Sequence, residues 1–414
     1  MPTTRRGHIL ILVQNLPVPF DRRVWMESTA LTEAGYKVSV ISPCPPDEAD
    51  QLHRVIEGVH VYRYPPPPTA ENKLAYFREY EYALRHTGKL MKRVWAEDPF
   101  DVIHSCNPPD FFWALARRYK KRGVKYVFDH HDLCPELFES KFGRRGLLYS
   151  ALCWFERRQF NTADGVIATN ESYKRVAIER GGKRPEDVAV VRSGPSMDRF
   201  RAEPPEPELK RGRKYLGVYL GVMGAQDGVD YALRAVRHLV DRGFTDASFK
   251  FMGKGDAFDD LLKLRAELNL EDWVEMPGRV SDLDLRQTLC TADIALAPDP
   301  KNPLNDVSTM NKIIEYMAMG VPIVSFDLKE SRHSAREAAV YIDNDDERAM
   351  ADAVAELLGD PDRRRRMGEY GQARVRDELC WDRSRLVLTA FYDRLLGHAA
   401  PAEATDAAGA AEAA

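Results

Sequence analysis

The chain runs through a strand-and-helix alternation twice, and the pattern breaks once between the two runs. The first run opens with the apolar stretch "HILILV", the loop "QNLPVPFDRR", the helical pattern "VWMESTALTEAGY" ending at Gly35, and the second apolar stretch "KVSVIS". Strand, helix and strand within about forty residues read as a βαβ unit, which needs a parallel sheet. Further strand candidates are "DVIHS", "YVFDHHD", "DGVIAT" and "DVAVVRS", with helical stretches such as 71–96 and 146–162 between them. The break is "SGPSMDRFRAEPPEPELKRGRK", rich in proline and charge and without periodicity, which reads as a linker over 194–214. The alternation then restarts through "YLGVYLGV", "SFKFMG", "WVEMPG", "DIALAP" and "PIVSF", with helices between. The predicted fold is α/β, with two Rossmann-like domains facing across a cleft, 1–193 and 215–379. A long amphipathic helix over 380–397 follows, and the low-complexity tail 398–414 is expected to be disordered.

With 414 residues the chain is too long for one ordinary core. No stretch approaches the roughly 20 apolar residues of a spanning helix, and Asp21, Arg22 and Arg23 interrupt the place where a leader would stay apolar. The six cysteines are scattered without a C-x-x-C pair, which suggests reduced thiols in a cytoplasmic protein rather than a zinc site. The net charge of −4 hides an asymmetry, +6 over residues 1–200 and −10 over the remainder. A basic N-terminal half fits an anionic membrane surface better than nucleic acid, since no dense Arg/Lys run with interleaved aromatics appears. The stretches 73–95, with Tyr76, Phe77, Tyr80, Tyr82 and Trp95, and 144–158 suit either an interfacial helix or one packing aromatics on its own sheet.

The segment "STMNKIIEYMAMG" (308–320) carries two stripes. Met310, Ile313, Ile314 and Met317 recur at helical spacing and predict a buried face, while Ser308, Asn311 and Glu315 form a polar one. Asp306 or Ser308 can cap the helix, whose first N–H groups and positive dipole end suit a phosphate. Glu315 would then lie roughly 10 Å further along the axis, within reach of a ribose. A solvated surface glutamate is the plainer reading of that position.

"NDVSTMNKIIEYMAMGVPIVSFD" resembles the donor-binding segment of the family 4 retaining glycosyltransferases, enzymes of the GT-B fold, and in particular those of bacterial exopolysaccharide, capsule and O-antigen synthesis. The resemblance extends to "NLPVPFDRRVWMESTALTEAGYKVSVISP", "VFDHHDLCPELFE", "LGVMGAQDGVDYALRA" and "VEMPGRV", and rests on the order of these five motifs. It implies that Ser308, Thr309 and Met310 hold a donor diphosphate and that Glu315 binds the ribose. Gly221, Gly224 and Gly228 would form the glycine loop, with Arg279 and Val280 beside the base. His131 would be a cleft histidine meeting the donor sugar, flanked or oriented by His130 and Asp132. The helix over 380–397 would return to the first domain.

Two departures from the family pattern follow. Val307 stands where a first glutamate is usual, with Asp306 or Asn305 as nearby substitutes. Val222 and Asp227 stand where Arg and Lys usually clamp the diphosphate. Lys312, Arg22 and Arg23 are the candidate replacements, and Asp21, Arg22 and Arg23 could equally serve an acceptor pyrophosphate or be surface charges. The glycine loop is not G-x-G-x-x-G, and "MGKGD" (252–256) lacks phosphate-loop spacing. Asp129, His130, His131 and Asp132 resemble a metal cluster, but neighbours on a strand face opposite ways, so no metal and no cofactor is expected. The resemblance implies transfer from a nucleotide-sugar donor to a lipid-linked saccharide with retained configuration, the leaving diphosphate assisting. An epimerase on the same scaffold, or a non-catalytic donor-binding subunit, are the rival readings.

Overall fold

A computed structural model describes residues 6–45, 48, 52–66, 73–143 and 145–398, excluding the side chains of 73–77 and 141. The expectations for Tyr76, Phe77 and the tail beyond residue 398 fall outside these residues. The chain divides into two compact units, one ending at Arg192 and resuming at Ser384, the other running from Ser193 to Arg383.

The first unit holds an eight-stranded sheet of β1 (His8–Leu12), β2 (Lys37–Pro43), β3 (His53–Ile56), β4 (Val59–Tyr64), β5 (Val102–Cys106), β6 (Lys125–His130), β7 (Gly165–Ala168) and β8 (Val188–Val190), in the order β3-β4-β2-β1-β5-β6-β7-β8. Its helices are α1 (Arg22–Glu33), α2 (Lys73–Glu97), α3 (Trp113–Lys120), α4 (Cys134–Phe142), α5 (Leu147–Thr162) and α6 (Glu171–Glu179). Every residue of β1 and β5 is buried, as a parallel sheet covered on both faces requires. All pairings are parallel except β3 with β4. That hairpin is absent from the sequence reading. Its turn is Glu57-Gly58, with φ of 49° and 83°, a left-handed pair that Asn-Gly would have announced and Glu-Gly does not.

In the second unit β9 (Tyr215–Leu220), β10 (Ala247–Met252), β11 (Val274–Gly278), β12 (Ile294–Ala297), β13 (Ile323–Phe326) and β14 (Ala339–Ile342) form a parallel sheet in the order β11-β10-β9-β12-β13-β14. Helices α7 (Val229–Asp241), α8 (Phe258–Glu267), α9 (Asp282–Thr291), α10 (Asn311–Ala318), α11 (Lys329–Ala335), α12 (Glu347–Gly359) and α13 (Pro361–Arg374) surround it, and α14 (Trp381–Leu396) closes the described chain. Residues 194–214 are not a loose linker. Phe200 is buried, the Glu203 N–H donates to Cys290 Sγ at 3.2 Å, and the Glu206 N–H donates to Thr291 Oγ1 at 2.8 Å. The stretch is irregular yet anchored, which is why it shows no period.

Each sheet reverses its strand order once, beside β1 in the first unit and beside β9 in the second. Ligands of open α/β sheets sit outside the carboxyl ends of the strands at that point. The topology therefore singles out the loops after β1 and β5, and those after β9 and β12.

The polar halves of the two aromatic helices behave differently. On α2, Tyr82 stacks on His86 at 3.9 Å and Trp95 meets Phe100 at 5.0 Å, so its rings pack within the unit. On α5, Leu147 and Trp154 are 93% and 46% exposed, and Arg158 lies over the Trp154 ring. Among the described residues no helix is long and apolar enough to cross a membrane.

One hydroxyl ties α10 to both central strands of its sheet. Buried Tyr316 Oη accepts from the Leu220 N–H at 2.7 Å and donates to the Leu296 carbonyl at 3.3 Å. Tyr316→Phe strands both partners, so urea unfolding should show a loss of about 1–3 kcal/mol. A loss under about 0.5 kcal/mol would show that the tie carries no stability.

Candidate functional site

In the first unit the loop after β1 leads into α1, capped by Asp21, whose Oδ1 accepts from the Val24 N–H at 3.1 Å. Asp21 is thus occupied in holding the helix start. Arg22 is exposed, and Arg23 is buried. Arg23 donates through Nε and Nη2 to Asp129 Oδ2 and Oδ1 at 2.9 and 2.7 Å, and through Nη1 to the Val191 carbonyl at 3.0 Å. The expectation of Arg23 as a phosphate ligand is therefore corrected. Its guanidinium is committed to a buried carboxylate.

Around that pair the strand ends assemble a charged cluster. Glu27, one turn along α1, lies 3.0 Å from Arg23 Nη2 and 3.4 Å from His104 Nε2. His104 Nδ1 meets the Tyr392 hydroxyl of α14 at 2.6 Å. His131 Nδ1 lies 3.0 Å from Asp129 Oδ2. Burial opposes ionisation of Asp129, but Arg23 and His131 together hold its carboxyl well below the usual range. Burial also works against charge on His131, and Asp129 outweighs it, so the imidazole's pKa is raised. Glu27 goes the other way. Burial pushes its carboxyl up to about 7, against the pull of Arg23.

The partner of His131 is Asp129, which corrects the expectation that His130 and Asp132 orient it. Side chains alternate along β6, so residues 129 and 131 share a face and residue 130 takes the other. His130 Nε2 instead lies 3.3 Å from Glu156 of α5, among Phe160 and Tyr173. His104, Cys106 and Asp129 do bring one ligand atom each within 4.8 Å. Both Asp129 oxygens already accept from Arg23, and burial drives the Cys106 thiol well above its usual range. The one carboxylate of the trio is thus already neutralised by Arg23.

In the second unit the loop after β9 carries Gly221, with φ of +156°, and Gly228, with φ of +66°. A Cβ on Gly228 would sit 2.0 Å from the Pro298 carbonyl oxygen, so the loops after β9 and β12 touch through bare backbone. Gly224 donates its N–H to Asp227 Oδ2 at 2.8 Å. Asp227, standing where the family has a cation, thus stabilises the loop's own turn, while Val222 is 62% exposed.

Helix α10 starts at Asn311, later than expected. Met310 occupies the cap position without a side-chain hydrogen bond, which corrects the choice of Asp306 or Ser308. Asp306 Oδ1 accepts from the Lys329 N–H at the start of α11, and Ser308 Oγ donates to the Leu304 carbonyl of the preceding turn, so both side chains are engaged elsewhere. Asn305 is buried and donates to the Gln226 and Pro300 carbonyls. Ser308, Thr309 and Met310 are half-buried in extended backbone leading into the helix.

Two α10 side chains define the site's charge. Lys312 is buried, with Nζ 2.7 Å from Asp299 Oδ1 and 3.3 Å from Tyr219 Oη, and its Cε packs against Gly221. Burial disfavours its charge, yet Asp299 and Asp227 raise its pKa, so it remains a cation. Glu315 is half-buried on the second turn, 3.8 Å from Arg199 Nη1. Arg199 also grips Asp282 through two nitrogens at 2.8 and 3.1 Å. Arg279 is exposed and Val280 half-buried at the end of β11. The second unit therefore brings together Gly221, Gly224, Gly228, Lys312 and the start of α10. Asp21, Arg23 and His131 form a separate grouping in the first unit.

Sequence reading missed Glu27, His104, Asn107, Asp299 and Tyr392. Asn107 Oδ1 accepts from the N–H groups of His131 and Asp132 at 2.9 and 3.1 Å, pinning that loop. The available signals were polar residues at strand ends, "HSCN" closing β5 and "APD" closing β12.

Two family models match the chain: "Glycosyltransferase Family 4" over residues 21–199 and "Glycosyl transferases group 1" over 214–360. Among curated relatives, an alpha-D-kanosaminyltransferase of Streptomyces kanamyceticus is 28% identical over 225 residues. That alignment covers 52% of this chain and 56% of the relative, so it spans little more than half the relative's length. Sucrose-phosphate synthase from Thermosynechococcus elongatus shares the fold at a TM-score of 0.76 and 17% identity, over 94% of this chain and 99% of that one. Anabaena HepE in complex with UDP-glucose superposes at 0.69 and 13% identity, over 94% and 100%. Both are fold-level likenesses.

The buried Glu27 carboxyl makes stability depend on pH. Its ordinary value is 4.5 and its folded value about 7, so the folded state keeps the proton over that interval. The contribution is full below the lower value and is lost as pH rises through the upper one. Compared with Glu27→Gln, which stays neutral, wild type should lose unfolding free energy between about pH 5 and about pH 8. Parallel curves for the two proteins would show that Glu27 is ionised throughout.

Proposed function

We propose that this chain, which belongs to the family 4 glycosyltransferases and has the GT-B fold, moves a sugar from a nucleotide-sugar donor to a lipid-linked saccharide with retained anomeric configuration. The observation that carries the donor half is the α10 site. A half-buried carboxylate, Glu315, stands one turn beyond a buried cation, Lys312, on a helix whose start faces the bare-backbone loop of Gly221, Gly224 and Gly228. Glu315 accepts hydrogen bonds from the ribose hydroxyls. The N–H groups of Thr309 and Met310 entering α10 receive the diphosphate, while that of Ser308 donates to the Asn305 carbonyl at 3.2 Å and holds the turn before them. Lys312 supplies the positive field that Val222 and Asp227 do not, through the thin wall at Gly221. Arg279 and Val280 border the base. HepE's complex with UDP-glucose supports a donor of this class.

In such a transfer the glycosidic bond to the leaving diphosphate breaks as the acceptor hydroxyl bonds to the same face of the sugar. The acceptor proton passes to a diphosphate oxygen, so no pair of protein carboxylates is required and no metal is invoked. His131, on the first unit, is the side chain assigned to the sugar. The basic N-terminal half and the exposed Leu147 and Trp154 of α5 suit an acceptor presented at an anionic membrane face on the cytoplasmic side. The second reading, a donor-binding subunit without turnover, is favoured by one observation: exposed Val222 in place of a phosphate-clamping cation.

Thermal unfolding with UDP, GDP, dTDP, CDP and ADP in EDTA tests the donor site. One nucleotide at 100 times its dissociation constant should stabilise wild type by ~2.7 kcal/mol and leave Glu315→Ala nearly unmoved. No shift with any of the five would overturn the donor assignment. A shift without sugar release or transfer from the matching donor would favour the subunit reading.

A further inference from the structure

We propose that Asp129, clamped by Arg23, is the positioning residue for His131 and fixes its imidazole as the Nδ1-protonated tautomer. This rests on the reading that His131 belongs to the working site. Asp129 Oδ1 accepts from Arg23 Nη2 at 2.7 Å, and Oδ2 accepts from Arg23 Nε at 2.9 Å while lying 3.0 Å from His131 Nδ1. An ionised carboxylate can only accept, so the proton of that last contact sits on Nδ1. In the neutral ring Nε2 is then left without a proton and is the nitrogen available to a sugar hydroxyl.

Three elements make the arrangement stiff. The two-point clamp fixes the plane of the carboxylate from α1. The Asn107 side chain of the loop after β5 holds the His131 and Asp132 N–H groups, so the backbone beneath the ring is fixed independently. Behind the clamp, Glu27 lies against Arg23 and His104, and Tyr392 meets the far nitrogen of His104. The charged and titratable groups acting on the ring are Asp129 and Asp132 of its own segment and Arg23 and Glu27 of α1, with His104 of β5 on the other side of Asp129 at 3.8 Å from its Oδ2. Burying a full ion pair costs several kcal/mol per charge before mutual attraction is counted, and apolar packing would hold these strand ends at least as well. What apolar packing would not do is choose a tautomer. Carboxylates play this role behind imidazoles that must present one particular nitrogen.

The test uses the full chain labelled with 15N at histidine. Long-range 1H–15N spectra at about pH 8 distinguish the two neutral tautomers, with His131→Gln assigning the resonance. Wild type should show Nδ1–H and a bare Nε2, and Asp129→Asn should shift His131 mainly to Nε2–H. The Nε2–H form in wild type, or an unchanged tautomer in folded Asp129→Asn, would overturn the proposal. The wild-type spectrum decides even where Asp129→Asn does not fold. Turnover is read separately: Asp129→Asn should lower kcat by about 10²-fold with KM little changed. Unchanged kcat in Asp129→Asn would overturn the positioning role, and unchanged kcat in His131→Gln would overturn the reading of His131 beneath it.

Discussion

A guanidinium bonded twice to a carboxylate, with solvent excluded from both, governs the layout of the first unit's strand ends. Arg23 and Asp129 come from the first helix and the sixth strand, 106 positions apart in sequence. Once Arg23 is drawn inside, Asp21 is left to cap α1, and Arg22 alone of the "DRR" triplet faces solvent. The same pair sets the local charge balance: with one cation and one anion matched, an ionised Glu27 would be a surplus negative charge. Burial is the main reason its carboxyl is pushed up, and the Asp129 charge adds to it.

The second unit solves a parallel problem with Lys312 and Asp299. Here the cation sits under a glycine, where the backbone is thinnest, and its ammonium is paired with the Asp299 carboxylate. A buried cation acts at a distance and with fixed geometry, where a flexible surface cation would have to be ordered by its ligand.

Much of this was legible in the sequence because periodicity reports burial. The βαβ alternation located most of the strands, and the Ile313, Ile314 and Met317 stripe located the buried face of α10. Glu315 was legible because its neighbours are apolar. The hairpin β3–β4 was not, since its turn uses Glu57 in a left-handed conformation that sequence statistics assign to other residues. Arg23 was misread for a different reason: an arginine in a polar loop looks like surface until a carboxylate far along the chain is known to meet it. Tyr392 and His104 lie 288 positions apart, and no local pattern carries that pairing. Likewise the start of α10 was placed too early, because Asp306 and Ser308 are good capping residues that the start of α11 and the preceding turn had already engaged.

The first unit is discontinuous, and that has a bearing on how it comes into being during synthesis. Its last helix supplies Tyr392 to His104, and Asp393 to Tyr36 and Arg6 at 2.5 and 2.6 Å. These are buried polar partners that the earlier residues lack until residues 384–396 have been synthesised. Residues 193–383 can complete their own sheet while the N-terminal portion still waits for its final strut. A gene cut at the boundary near Arg192 would therefore yield an N-terminal fragment with Tyr36 deprived of Asp393 and His104 of Tyr392.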